Sequence, residues 1–258
     1  MILSKSKSVD YDTAIFLAKV CIQAYNQFDN PSQFAIPQGY QPIKNIEAKA
    51  LGKTELFGFI IESPEDIVVA FRGTDSDSDI IADLEFLQVL FFLVPDAGKT
   101  HAGFTFIYFT CHNQLIDTLH ELPADKTLYI TGHSLGAALA TLNALDVSAN
   151  TDFKQIVMCN FASPRVGNPD FVGKYNSRLT NSVRFVNVYD VIPMLPPEKF
   201  TIPFTQRVIY NMHVQKEFPF AVQTGSLRGN HSLQTYLNAL KTEIGVNELP
   251  SNVTPTNP

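Results

Sequence analysis

Thr127-Leu128-Tyr129-Ile130-Thr131-Gly132-His133-Ser134-Leu135-Gly136-Ala137-Ala138-Leu139-Ala140 reads as a short strand, a sharp turn and an Ala/Leu-rich helix. The turn is Gly-x-Ser-x-Gly. A serine lifted above the end of a strand sits in a strained conformation, and the helix that follows packs closely on that strand. The residues two before and two after must then be nearly free of side chain, and Gly132 and Gly136 meet that need. Only 13 of 258 residues are Gly, so an ordinary glycine-rich turn with a surface serine is the weaker reading. A phosphate-binding loop is weaker still, because the Gly-Lys-Ser/Thr ending is absent.

Outward from this turn, strands alternate with helices. Asp10–Asn26 has helical spacing, with Ala14, Leu17, Ala18, Cys21, Ala24 and Tyr25 on one side and Asp10 or Asp12 as a cap. Asp29–Gln41 reads as a loop. Thr54–Ile61 and Ile67–Phe71 read as a hairpin around Ser63-Pro64-Glu65-Asp66. Gly103–Leu122 predicts a long helix with Phe104, Ile107, Tyr108, Cys111, Leu115 and Leu119 on one face. Ile156–Phe161 and Val183–Tyr189 read as further strands, and Leu233–Lys241 as a last helix. The first of these strands is almost wholly apolar, which suits the middle of a parallel sheet. The pattern predicts one α/β domain over 1–258, with helices on both faces of the sheet and a frayed tail near 250–258.

Composition narrows the function. Apolar residues make up 45% and charged residues 17%, enough to fill a core. A net charge of −6 and pI near 5.5 argue against nucleic acid as a partner. No stretch approaches the roughly 18 continuous apolar residues of a membrane span. Cys21, Cys111 and Cys159 are too few and wrongly spaced for a disulfide framework or a zinc site. They read as core residues, with a Cys21–Cys111 bridge or a reactive thiol as the alternative. No secretory leader is evident, which leaves a cytosolic protein or a mature form whose leader was removed.

A serine hydroxyl needs a base, and the base needs an orienting acid. With this type of turn both follow the serine, acid first. His213 and His231 are the histidines after Ser134. His231, in Gly229-Asn230-His231-Ser232-Leu233, opens onto a helix and is favoured; His213, amid what reads as a strand, is the alternative. Asp190 follows a strand directly, where carboxylates face the ligand crevice of an α/β sheet. Asp146, Asp152 and Asp170 have no such placement. His133 reads as structural, because a neighbour of Ser134 points elsewhere on the turn.

Taken in order, these residues resemble the class 3 lipase family, the fungal-lipase-like branch of the α/β-hydrolases. Ala18–Tyr25 resembles its first helix and Val68–Thr74 its oxyanion strand. Ile81-Ala82-Asp83-Leu84 resembles the lid motif, and His101–Phe104 the segment after it. Phe161–Asn168, Val188–Pro193 and His231–Tyr236 complete a likeness running from Ala18 to Leu240. The resemblance implies an α/β-hydrolase fold with a helical lid at about 75–98. It implies Ser134 as nucleophile, Asp190 as acid and His231 as base. It further implies an oxyanion hole from Thr74 and Leu135, support from Asp83, a structural ion pair for Arg72, and His101 as support for the nearby loop. Neither a cofactor nor a metal is required.

Within Ile80–Val94 the only polar residues are Asp83, Glu85 and Gln88. Burying one Phe or Leu is worth about 1.5–3 kcal/mol, so such a segment must rest on the site, on lipid or on a second chain. It reads as a lid that opens at a lipid–water interface, with an immobile inner helix as the alternative and a homodimer contact as a further use. The expected function is acylglycerol ester hydrolysis. The alternatives are a general carboxylesterase, a feruloyl esterase or a phospholipase A1-like enzyme without interfacial activation. A binding module that has lost its chemistry fits poorly with Ser134, Asp190 and His231 all present.

Overall fold

The computed structural model describes residues 10–74 and 87–247, with side chains through residue 242. Helix α1 (Tyr11–Asp29) opens where the Asp10 carboxylate accepts from the Thr13 N–H, a local cap at 2.7 Å. Strands β1 (Gln41–Ala50), β2 (Lys53–Glu62) and β3 (Asp66–Phe71) form an antiparallel meander. After β4 (Gln88–Leu90) and β5 (Lys99–His101) come α2 (Ala102–His120), β6 (Thr127–His133) and α3 (Leu135–Asn150). The chain continues through β7 (Gln155–Phe161), α4 (Pro169–Arg178) and β8 (Ser182–Asn187). It then forms β9 (Lys199–Thr201), β10 (Val208–Tyr210), β11 (Glu217–Phe220), the short α5 (Leu227–His231) and α6 (Leu233–Asn247).

The main sheet has the order β1-β2-β3-β6-β7-β8-β11, and every pair from β3 to β11 is parallel. Alternation along β3 divides the core in two. Ile67, Val69 and Phe71 join α2, α3 and α4 on one face. Val68 and Ala70 join α1 and α6 on the other. Both faces of the sheet are therefore apolar, as parallel strands require. Among the described residues no helix is long and apolar enough to cross a membrane.

Several expectations need correction. The sequence reading leaves β1 unassigned, because only Ile46 and Ala48 along it are buried and Pro42, Lys44 and Lys49 interrupt any apolar run. That is the make-up of a protected sheet edge. Strand β8 ends at Asn187, so Asp190 is reached through a turn and not directly. His213 is in no strand; the adjacent Met212 makes an isolated bridge to Gly167. The three cysteines are buried free thiols, so the Cys21–Cys111 bridge is absent. Residues 75–86, and with them Asp83 and half of the expected helical lid, lie outside the described residues, as does the tail from 248. The rest of that segment is not helical: β4 pairs antiparallel with β5, and turns join them.

Candidate active site

Ser134 stands between β6 and α3 with φ 58° and ψ −126°, a left-handed backbone that a serine adopts only under constraint. The constraint is the closeness of helix to sheet. A Cβ on Gly132 would lie 2.2 Å from the Gly136 carbonyl oxygen, and one on Gly136 would lie 2.5 Å from that of Arg72. Either substitution would push α3 off the sheet. The Ser134 N–H donates to the Phe161 carbonyl at 3.1 Å, which ties the turn to β7. Ser134 itself is fully buried.

The structure brings three distant side chains together. The Ser134 Oγ lies 2.7 Å from His231 Nε2, and His231 Nδ1 lies 2.8 Å from an Asp190 carboxylate oxygen. A carboxylate only accepts, so Nδ1 carries the proton and Nε2 is left to accept from the serine hydroxyl. The same Asp190 oxygen accepts from the Tyr236 hydroxyl at 2.8 Å, and its other oxygen accepts from the Ile192 N–H at 2.9 Å. Burial, and then the charge of Asp190, pushes the Tyr236 phenol well above its ordinary range, so it remains a donor.

Two buried asparagines hold these loops in register. Asn187 Nδ2 donates to the carbonyls of Val222 and Asn230, and Asn230 Nδ2 donates to that of Tyr189. The residues just before the acid and just before the base are thereby fastened to each other. His213 takes no part in the Ser134–His231–Asp190 hydrogen bonds. Its Nε2 donates to the Pro193 carbonyl, and burial, with Arg184 adding to it, lowers its pKa to about 3.

A second strut runs behind the turn. His133 Nε2 lies 2.8 Å from the His231 carbonyl oxygen, so this nitrogen donates and Nδ1 of a neutral ring accepts. Its partner there is the Tyr25 hydroxyl at 2.7 Å, which also accepts from the Gly73 N–H at 3.0 Å. One phenol thus connects the end of β3, the nucleophile turn and the backbone of the base. Sequence reasoning gave no role to Tyr25, Tyr236, Asn187 or Asn230. For Tyr25 and Tyr236 the one signal was a polar tip at a position that helix periodicity buries.

Leu135 is the first residue of α3, where backbone N–H groups have no partner within the helix. Thr74 lines a cavity of about 750 Å³ whose wall also includes Tyr25, His133, His231, Ile22, Val191, Ile192 and Leu227. Arg72 is buried and pairs with Glu55 at 3.2 Å, with the Phe28 ring against its guanidinium. His101 stacks on Phe104, and burial lowers its pKa to about 4. Among the described residues no group of three or more His, Cys, Asp or Glu could hold a metal ion.

Residues 68–200, just over half of the chain, match the family described as lipase (class 3). A lipase of Rhizomucor miehei is 35% identical over 147 residues, covering 54% of this chain and 40% of that protein. Phospholipase A1-II 7 of Oryza sativa subsp. indica is 30% identical over 216 residues, covering 70% and 52%. The chain thus spans about half the length of the curated relatives it matches. Among solved structures, a triacylglycerol lipase whose catalytic centre is formed by a serine protease triad superposes with a TM-score of 0.61. It shares 26% identity, over 72% of this chain and 74% of that one. The fold is that of the α/β-hydrolases.

Proposed function

We propose that this chain, which belongs to the class 3 lipase family, hydrolyses carboxylic esters of acylglycerols through an acyl-enzyme on Ser134. The observation that carries the reading is the continuous hydrogen-bond line from Ser134 Oγ through His231 to Asp190, built on a strained turn. His231 takes the hydroxyl proton as Ser134 attacks the ester carbonyl, and Asp190 orients and stabilises the imidazolium. The oxyanion develops against the N–H groups of Leu135 and Thr74 and the Thr74 hydroxyl, where one such donor is worth about 3 kcal/mol of barrier. The alcohol leaves with the proton from His231. Water then cleaves the acyl-enzyme by the same route.

The resting site is covered, because Ser134 is fully buried. This favours a segment that must move before a bulky ester can enter, the role expected of the apolar stretch before Val94. That stretch, with Asp83 in its lid motif, would open at a lipid–water interface and would serve as a dimer contact away from lipid. A phospholipase A1-like preference is the second reading, favoured by the likeness to the rice enzyme over 70% of this chain.

Ser134→Ala is expected to abolish turnover and fluorophosphonate labelling without loss of fold. Esterase activity retained in a pure preparation would overturn the assignment. Emulsified triolein, a phospholipid and a series of p-nitrophenyl esters, assayed side by side, separate the two substrate readings.

A further inference from the structure

The hairpin β9–β10 stands apart from the main sheet as its own two-stranded sheet. Its sequence, Lys199-Phe200-Thr201-Ile202-Pro203-Phe204-Thr205-Gln206-Arg207-Val208-Ile209-Tyr210, is apolar at seven positions and carries Lys199 and Arg207 as its only charges. Both are cations, in a chain whose net charge is −6. Phe204 at the tip is fully exposed and has φ 61°, a backbone conformation that an aromatic residue rarely adopts. The turn does not need the ring: Ile202 N–H donates to the Arg207 carbonyl, Thr205 N–H to the Ile202 carbonyl and Arg207 N–H to the Thr205 hydroxyl. Val208 and Tyr210 are exposed as well. A positive φ at an aromatic residue costs free energy, and the exposed Phe204 ring recovers none of it by burial.

The base of the hairpin is fastened within itself and to the segment that follows β7. Asn211 Nδ2 donates to the Pro197 carbonyl, and Arg165 pairs with Glu198 at 3.0 Å. The chain entering β9 comes from Val191 and Ile192, which line the cavity, by way of the exposed Met194. On the other side, Gln88 Nε2 donates to the Tyr210 carbonyl, which joins the hairpin to β4, within the apolar stretch.

We propose that this hairpin is a lipid-surface anchor: Phe204 enters the headgroup boundary of an anionic bilayer or emulsion while Lys199 and Arg207 meet its negative charge. The inference rests on the reading of the protein as an esterase of lipids and extends it to a second contact, outside the lid. Apolar side chains flanked by Lys and Arg are what a membrane-surface element requires, and each cation adds attraction to acidic lipid. The net negative charge of the chain opposes such adsorption, so the cationic hairpin also orients the molecule with that side toward the surface.

The test is co-sedimentation with sucrose-loaded vesicles of phosphatidylcholine, with or without roughly 30% phosphatidylglycerol. The full chain is compared with Phe204→Ser and with the double variant Lys199→Gln/Arg207→Gln. Hydrolysis of p-nitrophenyl butyrate below its solubility limit is followed in parallel. Phe204→Ser should lower partition about ten-fold on anionic vesicles and leave the soluble-ester rate within about two-fold. The charge variant should lose about ten-fold on anionic vesicles and little on phosphatidylcholine alone. Wild-type partition in either variant on the anionic vesicles, or no wild-type binding to them, overturns the anchor. Absence of soluble-ester hydrolysis by the wild type would instead count against the esterase reading, because vesicle binding is scored without any chemistry.

Discussion

Two buried carboxylates in this molecule hold histidines in almost the same way. Asp190 accepts from His231 Nδ1 at 2.8 Å and from the Tyr236 hydroxyl at 2.8 Å on one oxygen. Asp146 accepts from His112 Nδ1 at 2.7 Å and from the Tyr108 hydroxyl at 2.5 Å on one oxygen. Even the exposure of the imidazoles is alike, 15% for His231 and 17% for His112. The difference lies beyond the pair. His231 Nε2 meets Ser134 on its strained turn at the carboxyl end of the parallel strands. The His112 ring, parallel to Phe109 with centroids 6.4 Å apart, sits where α2 packs on α3. An Asp–His pair therefore marks a rigid joint, and chemistry needs a hydroxyl brought to the free nitrogen in addition.

The widest separation of the two pairs should come from the matched substitutions Asp190→Asn and Asp146→Asn. Asp190→Asn removes the charge that orients and stabilises the imidazolium, and kcat on a soluble ester should fall on the order of 10⁴-fold, with a stability loss no larger than that at Asp146, since the same kinds of bonds are weakened. Asp146→Asn should leave kcat within about two-fold. It should instead lower the unfolding free energy by about 2–3 kcal/mol, because charge-assisted bonds to Tyr108, His112 and Asn150 are weakened in a dry site. Steady-state kinetics and urea unfolding on both variants check this. Equal kinetic losses would erase the distinction between site and joint.

The parts of the site that could be read from sequence are those where sterics leave few choices. Gly132 and Gly136 are required by contacts of under 3 Å, so the turn leaves a trace in the sequence. Asp190 and His231 follow from it by chain order and by their neighbours. Strand β1 leaves no such trace, because an edge strand is half polar and looks like a loop. The end of β8 at Asn187 was hidden because Val188 and Tyr189 continue its apolar look, although both are exposed and bordering the acid. Tyr25, Asn187 and Asn230 act through tertiary hydrogen bonds whose partners lie tens of residues away, which no local pattern encodes. Asp83 lies outside the described residues, so its expected role stays with the proposal.

A smaller effect should sharpen the same comparison from the side of the strut. Tyr25→Phe keeps the ring but removes the acceptor for the Gly73 N–H and the donor to His133. The strand end bearing Thr74 then loses its tether to the nucleophile turn. We expect kcat to fall about ten-fold with KM within about two-fold, as for an interaction that matters in the transition state. Tyr108→Phe, the matching change at the other pair, should leave kcat intact and lower stability by about 1–2 kcal/mol.

A pH effect sets apart two histidines that pair with no carboxylate among the described residues. His101 and His213 are buried, and burial lowers their pKa values from 6.5 to about 4 and about 3. Each is neutral in the folded chain at pH values where the unfolded chain already binds a proton. The unfolded state therefore gains protons first as pH falls below 6.5, and stability is lost on acidification, not on alkalinisation. Between pH 6.5 and pH 5 each group should withdraw about 1.5–2 kcal/mol from the unfolding free energy. His213→Asn keeps a donor near the Pro193 carbonyl and removes the titration, so its unfolding free energy should fall less steeply over that interval in urea melts. A slope identical to wild type would mean that His213 takes up protons alike in the folded and the unfolded chain, and would overturn the burial effect.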